Sequence, residues 1–246
     1  MTRGRWIAVY LGGVLTGLVL SIVVYMGNQF IIARRTPPEE KFTSEQMLEV
    51  YRKVRKSALV VRAHTGNQSA LGSGVVVLAN HGRVVAFTNG HVVASEGRRA
   101  DRVEVKPFGT RVWYPARIVN VLLDEKRNLD LAVLTFNDIW QRETAATLIP
   151  ETETAAPGKV VIAVGNPRGD EFLTDHGHIK DVSVRGDIRV VIHDALTEHG
   201  SSGGGLFDIQ GRLLGINTWL AADRYGVAAE IHSLLKAFKV QSELER

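Results

Sequence analysis

Between Ala58 and Glu230 the chain is divided into twelve short β-type runs, with almost nothing helical between them. The runs fall near residues 58–64, 71–78, 83–88, 102–107, 111–122, 131–136, 159–164, 178–184, 188–193, 204–208, 212–218 and 225–230. Asn80-His81-Gly82, Asn166-Pro167-Arg168-Gly169 and Asp208-Ile209-Gln210-Gly211 read as turns between them. Many short strands and few helices restrict the fold to an all-β barrel or sandwich of antiparallel strands. No internal repeat is visible. The chain has no cysteine, so no disulfide can staple this architecture and core packing must hold it. A hydrophobic content of 45% with 24 glycines fits a globular, turn-rich chain rather than a disordered one.

The first 57 residues follow different rules. Trp6 to Gly27 is an uncharged apolar run of 22 residues, long enough to cross a bilayer as a helix. No small-x-small cleavage site stands near residues 25–33, so the expectation is an uncleaved anchor over residues 1–33 and a single-pass membrane protein. Arg3 and Arg5 flank one side of the run and Arg34, Arg35 and Lys41 the other, so charge does not set its orientation. Residues 34–43 contain Pro37 and Pro38 and read as a linker. Thr43 and Gln46 have capping-box spacing, and Met47, Val50, Tyr51 and Val54 recur at helical spacing. This predicts an amphipathic helix over 44–56 that packs on the domain following it. A second helix is expected over 231–244.

Three distant segments carry chemistry. Thr88-Asn89-Gly90-His91-Val92 places a histidine at a strand end. Asp130 opens the apolar run that continues through Leu134. Gly200-Ser201-Ser202-Gly203-Gly204-Gly205 places a serine in a glycine-rich turn. His91 precedes Asp130 by 39 residues, and Asp130 precedes Ser202 by 72. A serine hydroxyl is a weak nucleophile at neutral pH. It needs a base within reach, and the base needs an acceptor on its other nitrogen. His91, Asp130 and Ser202 supply that set in the order His, Asp, Ser. The amides of Gly200 and Ser202 are placed to receive an oxyanion, because glycine on either side of the serine tolerates the turn this requires. Taken singly, each residue has a plainer role as a loop serine, a structural histidine or a capping aspartate. Their joint occurrence in one order favours the catalytic role.

Other chemistries are less well supplied. Net charge is +4, with a basic cluster at Arg98-Arg99-Ala100-Asp101-Arg102. No aromatic stacking pattern or recognition helix accompanies it, so it reads as a solvated loop and no nucleic-acid partner is expected. His176-Gly177-His178 beside Asp175 lacks a further ligand at metal-site spacing and reads as a loop; no metal and no cofactor are expected. Gly72-Ser73-Gly74 lies inside a strand pattern, not at the strand-to-helix turn that cradles phosphate.

The same segments resemble the HtrA/Deg branch of the trypsin-like, chymotrypsin-fold serine proteases. Leu71-Gly72-Ser73-Gly74-Val75-Val76 resembles that family's Gly-Ser-Gly strand. Thr88-Asn89-Gly90-His91-Val92-Val93 resembles its Thr-Asn-x-His-Val motif, and Asp130-Leu131-Ala132-Val133-Leu134 its Asp-Leu-Ala-Val segment. Ala163-Val164-Gly165-Asn166-Pro167 is similar to its Gly-Asn-Pro turn. Asp194-Ala195 followed by Gly200-Ser201-Ser202-Gly203-Gly204 resembles the stretch that carries the nucleophile, and Gly215-Ile216-Asn217-Thr218 the strand lining the specificity pocket. These motifs run in register from about residue 45 to 235.

The resemblance implies a double six-stranded antiparallel β-barrel over residues 44–246, with the barrels meeting at about 140–158. It implies a serine endopeptidase acting on proteins or peptides from the periplasmic or extracellular face. The substrate-binding residues it implies are Leu196, Asn217, Thr218, Trp219 and Ala228, forming an apolar pocket for small or aliphatic side chains. It also implies a homo-oligomer, by family habit a trimer. No PDZ peptide-binding module is expected after the last strand. Ser201 stands where the family has Asn or Asp, and Gly205 where it has proline, which implies a looser turn whose oxyanion hole forms on substrate binding. The alternatives are a catalytically silent binding module on the same fold and a protease that processes only itself.

Overall fold

The computed structural model describes residues 42–80, 82–95, 97–137, 145–221 and 224–244. The expected membrane anchor at 1–33 and nearly all of the linker lie outside them. No helix among the described residues is long and apolar enough to cross a membrane.

Six strands close the first barrel: β1 (Ala58–Thr65), β2 (Gln68–Asn80), β3 (Arg83–Thr88), β4 (Arg102–Pro107), β5 (Tyr114–Asp124) and β6 (Leu129–Asn137). Their order around the ring is β1-β2-β3-β6-β5-β4, with β4 returning to β1, all antiparallel. Six more follow: β7 (Val160–Gly165), β8 (Leu173–Arg185), β9 (Ile188–His193), β10 (Gly205–Asp208), β11 (Arg212–Ala221) and β12 (Tyr225–Glu230). Their ring order is β7-β8-β9-β12-β11-β10, and β10 returns to β7. The two halves therefore repeat one topology although no sequence repeat announces it. Closure is what both achieve, since a closed ring leaves no unpaired edge.

Alternation builds the first core. In β4, Val103, Val105 and Pro107 are buried while Arg102, Glu104 and Lys106 face outward, the period of 2 that a half-buried strand requires. Leu59, Val61, Ala132 and Leu134 join them inside. In β7 all six residues are buried. That strand packs inward on Ile216, Ile179 and Leu206 and lies against β1 and β2 of the first barrel on its other side. A strand covered on both faces reads as a continuous apolar run, as Val160-Val161-Ile162-Ala163-Val164 does.

Helix α1 (Ser44–Arg55) has the expected capping box, with Gln46 N–H donating to Thr43 Oγ1 at 3.2 Å and Thr43 N–H to Gln46 Oε1 at 2.9 Å. It precedes the first barrel but docks on the second. Val54 is buried in the core cluster that holds Val161, Leu213 and Leu214 of the second barrel, with Met47, Val50 and Tyr51 packed against it. Tyr51 Oη meets His176 Nδ1 at 2.6 Å, and Arg55 Nε donates to Thr174 Oγ1 at 2.6 Å. The last element is a helix over Ile231–Leu244, as the pattern implied.

One expectation is corrected. His176-Gly177-His178 is not a loop but part of β8, which begins at Leu173. Gly177 opposes Val161, and a Cβ on it would lie 2.3 Å from the Ala195 nitrogen and 2.4 Å from Asp194 Oδ1. The glycine marks a close backbone approach inside a strand rather than a break in it.

Candidate active site

His91 does not end a strand. β3 stops at Thr88, and Gly90–Val93 forms a single helical turn, α2, that lifts the imidazole out of the barrel wall. Asp130 is the second residue of β6, on the strand paired with β3. Its two oxygens hold the histidine twice. Oδ1 accepts the His91 backbone N–H at 3.0 Å, and Oδ2 meets His91 Nδ1 at 2.6 Å. A carboxylate accepts only, so Nδ1 carries a proton, and in the neutral ring the lone pair is then on Nε2. The aspartate side chain is 7% exposed and the histidine side chain 43%. The carboxylate is thus dry, while the imidazole opens to the cleft. Behind them, buried Asn89 donates from Nδ2 to the Asp130 carbonyl at 2.8 Å and to Thr218 Oγ1 at 3.2 Å, tying β6 to β11.

Ser202 lies across the same cleft. A cavity of about 540 Å³ is lined by His91, Asp130 and Ser202, together with Thr197, Glu198, His199, Thr218, Trp219 and Leu220 from the second barrel and Leu123, Glu125, Asn128 and Leu129 from the first. No hydrogen bond joins Ser202 to His91 among the described residues. Such contacts are often long in a free enzyme and tighten when substrate binds.

Loop 198–202 has each of its carbonyls occupied. The Glu198 carbonyl accepts from Ser201 N–H at 2.9 Å, His199 from Arg168 N–H at 2.8 Å, and Gly200 from Ser73 Oγ at 2.7 Å. Ser201 accepts from Gly204 N–H at 2.9 Å and Ser202 from Ser73 N–H at 2.8 Å. A trans peptide is planar, so its C=O and N–H point in opposite directions. Anchoring the His199 and Ser201 carbonyls therefore turns the Gly200 and Ser202 N–H groups the other way. Neither of these donates a hydrogen bond among the described residues. The turn demands glycine at Gly200 (φ +98°) and Gly203 (φ +88°). A Cβ on Gly203 would also sit 2.3 Å from the Ser73 carbonyl and from Thr88 Oγ1.

The two departures from the family motif are compensated locally. Ser201 is buried, and its Oγ accepts from Glu198 N–H at 3.2 Å, reciprocating the Ser201 N–H to Glu198 carbonyl bond. At Gly205, a Cβ would meet the Phe207 ring at 2.5 Å, so Phe207 fills the space where a proline ring would stand. With the carbonyls anchored, the turn is braced rather than loose.

Of the five residues expected to bind substrate, Thr218 and Trp219 line the cleft, whereas Leu196, Asn217 and Ala228 do not. Leu196 is turned outward, with its N–H donating to Asp175 Oδ2 at 2.8 Å. Asn217 and Ala228 are paired partners in the barrel wall and fully covered. Asn217 braces the Ser202 turn from behind, its carbonyl accepting from Gly203 N–H at 2.9 Å and its N–H donating to the Gly204 carbonyl at 2.8 Å. Its Oδ1 accepts from His193 Nε2 at 3.0 Å. His193 is wholly buried, and burial pushes its pKa down to about 4, against smaller opposing effects from Asn217, Asp194 and Ala195.

Sequence reading gave no role to Ser73 or Asn166. Ser73 Oγ accepts from Asn166 N–H and from Asn166 Nδ2, both at 2.9 Å, while donating to the Gly200 carbonyl. Asn166 Nδ2 also reaches the Leu59 carbonyl at 3.0 Å, and its Oδ1 accepts from Phe172 N–H at 2.9 Å. Together they join the two barrels beneath the loop. The available signal was a polar side chain at the centre of a buried strand, which needs partners. Among the described residues no His/Asp/Glu cluster is suited to hold a metal.

Residues 72–216 match the family model described as a trypsin-like peptidase domain. The serine protease HTRA1A of Danio rerio is 30% identical over 179 residues, 70% of this chain and 33% of that protein. A protein of Buchnera aphidicola described as a "Probable periplasmic serine endoprotease DegP-like" is 30% identical over 159 residues, 62% of this chain and 30% of that protein. The crystal structure of the serine endoprotease from Yersinia pestis superposes with a TM-score of 0.64 at 27% identity, covering 84% of this chain and 68% of that one. The chain spans about a third of the length of the curated relatives it matches.

Proposed function

The chain belongs to the family of trypsin-like peptidase domains, among HtrA/DegP-like relatives, and on that premise we propose that it is a serine endopeptidase cutting proteins or peptides. One observation carries the reading. Asp130 grips His91 at both its backbone and Nδ1 in a cleft that Ser202 also lines.

His91 Nε2 takes the Ser202 hydroxyl proton as Oγ bonds to the scissile carbonyl carbon. The imidazolium that forms is stabilised by the Asp130 carboxylate, which keeps its own charge. The carbonyl oxygen, now anionic, receives the Gly200 and Ser202 N–H groups. Each such donor is worth about 3–4 kcal/mol of barrier in enzymes of this kind. Nε2 returns the proton to the amine as the C–N bond breaks, leaving an acyl-serine. Water then repeats the sequence and restores Ser202. No cofactor is needed for these steps.

Trp219 and Leu220 offer substrate apolar surface, in keeping with small or aliphatic side chains before the scissile bond. The uncharged run from Trp6 to Gly27 supports a single-pass anchor over residues 1–33, and a relative named as periplasmic supports a periplasmic or extracellular placement. The test is a fluorophosphonate probe with wild type and Ser202→Ala, followed by incubation with unfolded casein. Labelling and casein cleavage that both vanish in the variant are expected. A folded wild type that takes no label would make the chain a binding module. Cleavage confined to its own chain would make it self-processing.

A further inference from the structure

Arg168 touches the oxyanion loop twice. Its N–H donates to the His199 carbonyl at 2.8 Å, the contact that turns the Gly200 N–H the opposite way. Its guanidinium pairs with the Glu198 carboxylate, Nη2 lying 2.6 Å from Oε1. The backbone pays for this geometry, since Arg168 sits in the left-handed region at φ +52°, ψ +18°, where a side chain is disfavoured and glycine is at ease. The partner, Glu198, is 30% exposed and lines the cleft two residues before Gly200. With the adjoining Ser201–Glu198 bonds, the pair fixes the entry to the loop from the outside, opposite the Ser73 anchor.

We propose that Arg168 is a positioning residue that holds Glu198 and His199 so that the Gly200 N–H stays turned toward the substrate oxygen. The inference rests on the peptidase reading above. Arg168 touches no reacting atom. Its guanidinium is 74% exposed, so its effect is small and sensitive to salt, as for other solvent-exposed ion pairs. The contribution is spent where charge develops on the oxygen, so it falls on kcat rather than on KM.

Arg168→Gly separates side chain from backbone. Glycine keeps the N–H and relieves the left-handed conformation, so the thermal midpoint is expected to hold or rise while kcat falls about 2- to 5-fold at low salt, with KM unchanged. Wild-type kcat should drop toward the variant's as salt is raised, and the variant's should not. Arg168→Lys should recover part of the loss. Adding Glu198→Gln to Arg168→Gly should cost nothing more. Normal probe labelling of Ser202 with Arg168→Gly kcat equal to wild type would overturn this inference alone, as would a change confined to KM. A wild type that neither labels nor cleaves would overturn the peptidase reading and the inference together.

Discussion

Ser73→Ala isolates the link between the barrels from the chemistry above it. The serine is 1% exposed, and its hydroxyl makes three hydrogen bonds, one to the Gly200 carbonyl and two from Asn166. Removing it leaves Asn166 Nδ2 with the Leu59 carbonyl, but deprives the Asn166 N–H and the Gly200 carbonyl of their partners. A buried polar group left unpaired costs about 1–3 kcal/mol, and the Gly200 carbonyl is only partly buried, so the two together predict a loss of about 2–4 kcal/mol. At about 2–4 °C per kcal/mol for a domain of this size, the melting midpoint should fall by roughly 5–15 °C. The rate should suffer less. The donors assigned to the oxyanion belong to the His199–Gly200 and Ser201–Ser202 peptides. Their carbonyls are held by Arg168 and Gly204, not by Ser73 Oγ. The kcat loss should therefore stay near tenfold or below, against the 100- to 1000-fold expected when such a donor is lost outright. Calorimetry and steady-state kinetics on one preparation read both numbers. A stable variant whose kcat falls by more than 100-fold would refute the assignment of Ser73 to structure.

Asp130→Asn should fold normally and lose about 10⁴-fold in kcat, because an amide no longer fixes the proton on His91 Nδ1; retention of a tenth of the activity would show that Asp130 does not orient the base. Gly205→Ala should destabilise by about 1–3 kcal/mol, since its Cβ meets the Phe207 ring at 2.5 Å; a neutral denaturation curve counts against Phe207 as the filler of that space. His193 sets a pH dependence. Burial lowers its pKa to about 4 from 6.5, so as pH falls the unfolded chain takes up the proton first. The stability it contributes is whole above about pH 6.5 and lost by about pH 4, a difference of about 3 kcal/mol. Denaturation of wild type and His193→Gln between pH 7 and 4 should show the larger decline in wild type, and parallel curves would exclude His193 as its source.

Much of the framework was legible beforehand. Twelve β-type runs became twelve barrel strands because alternation and turn residues act within a few positions of each other. Each shift in a boundary followed from pairing. β8 starts at Leu173 rather than near 178 because Val161 pairs with Gly177, and no local pattern reveals a partner 16 residues away. Likewise the helix at 44–55 was visible in its apolar spacing, but that it passes over its neighbouring barrel to dock on the second was not.

That His91, Asp130 and Ser202 share one cleft could be anticipated from the chain, because chemistry restricts which residue types can serve as base, orienter and nucleophile, and glycine is needed around a turn with positive φ. The pocket walls could not. Asn217 and Ala228 seemed to face substrate until strand pairing buried them against each other and left Glu125, Glu198 and Leu220 on the cleft instead. Ser73 and Arg168 acquired their roles only through contacts with Gly200, Glu198 and His199, thirty or more residues distant, and Asn166 through Ser73 and Leu59. Local sequence determines backbone preference and chemical capacity, whereas the direction in which a carbonyl points depends on which distant donor reaches it, and only the closed barrels bring those donors within range.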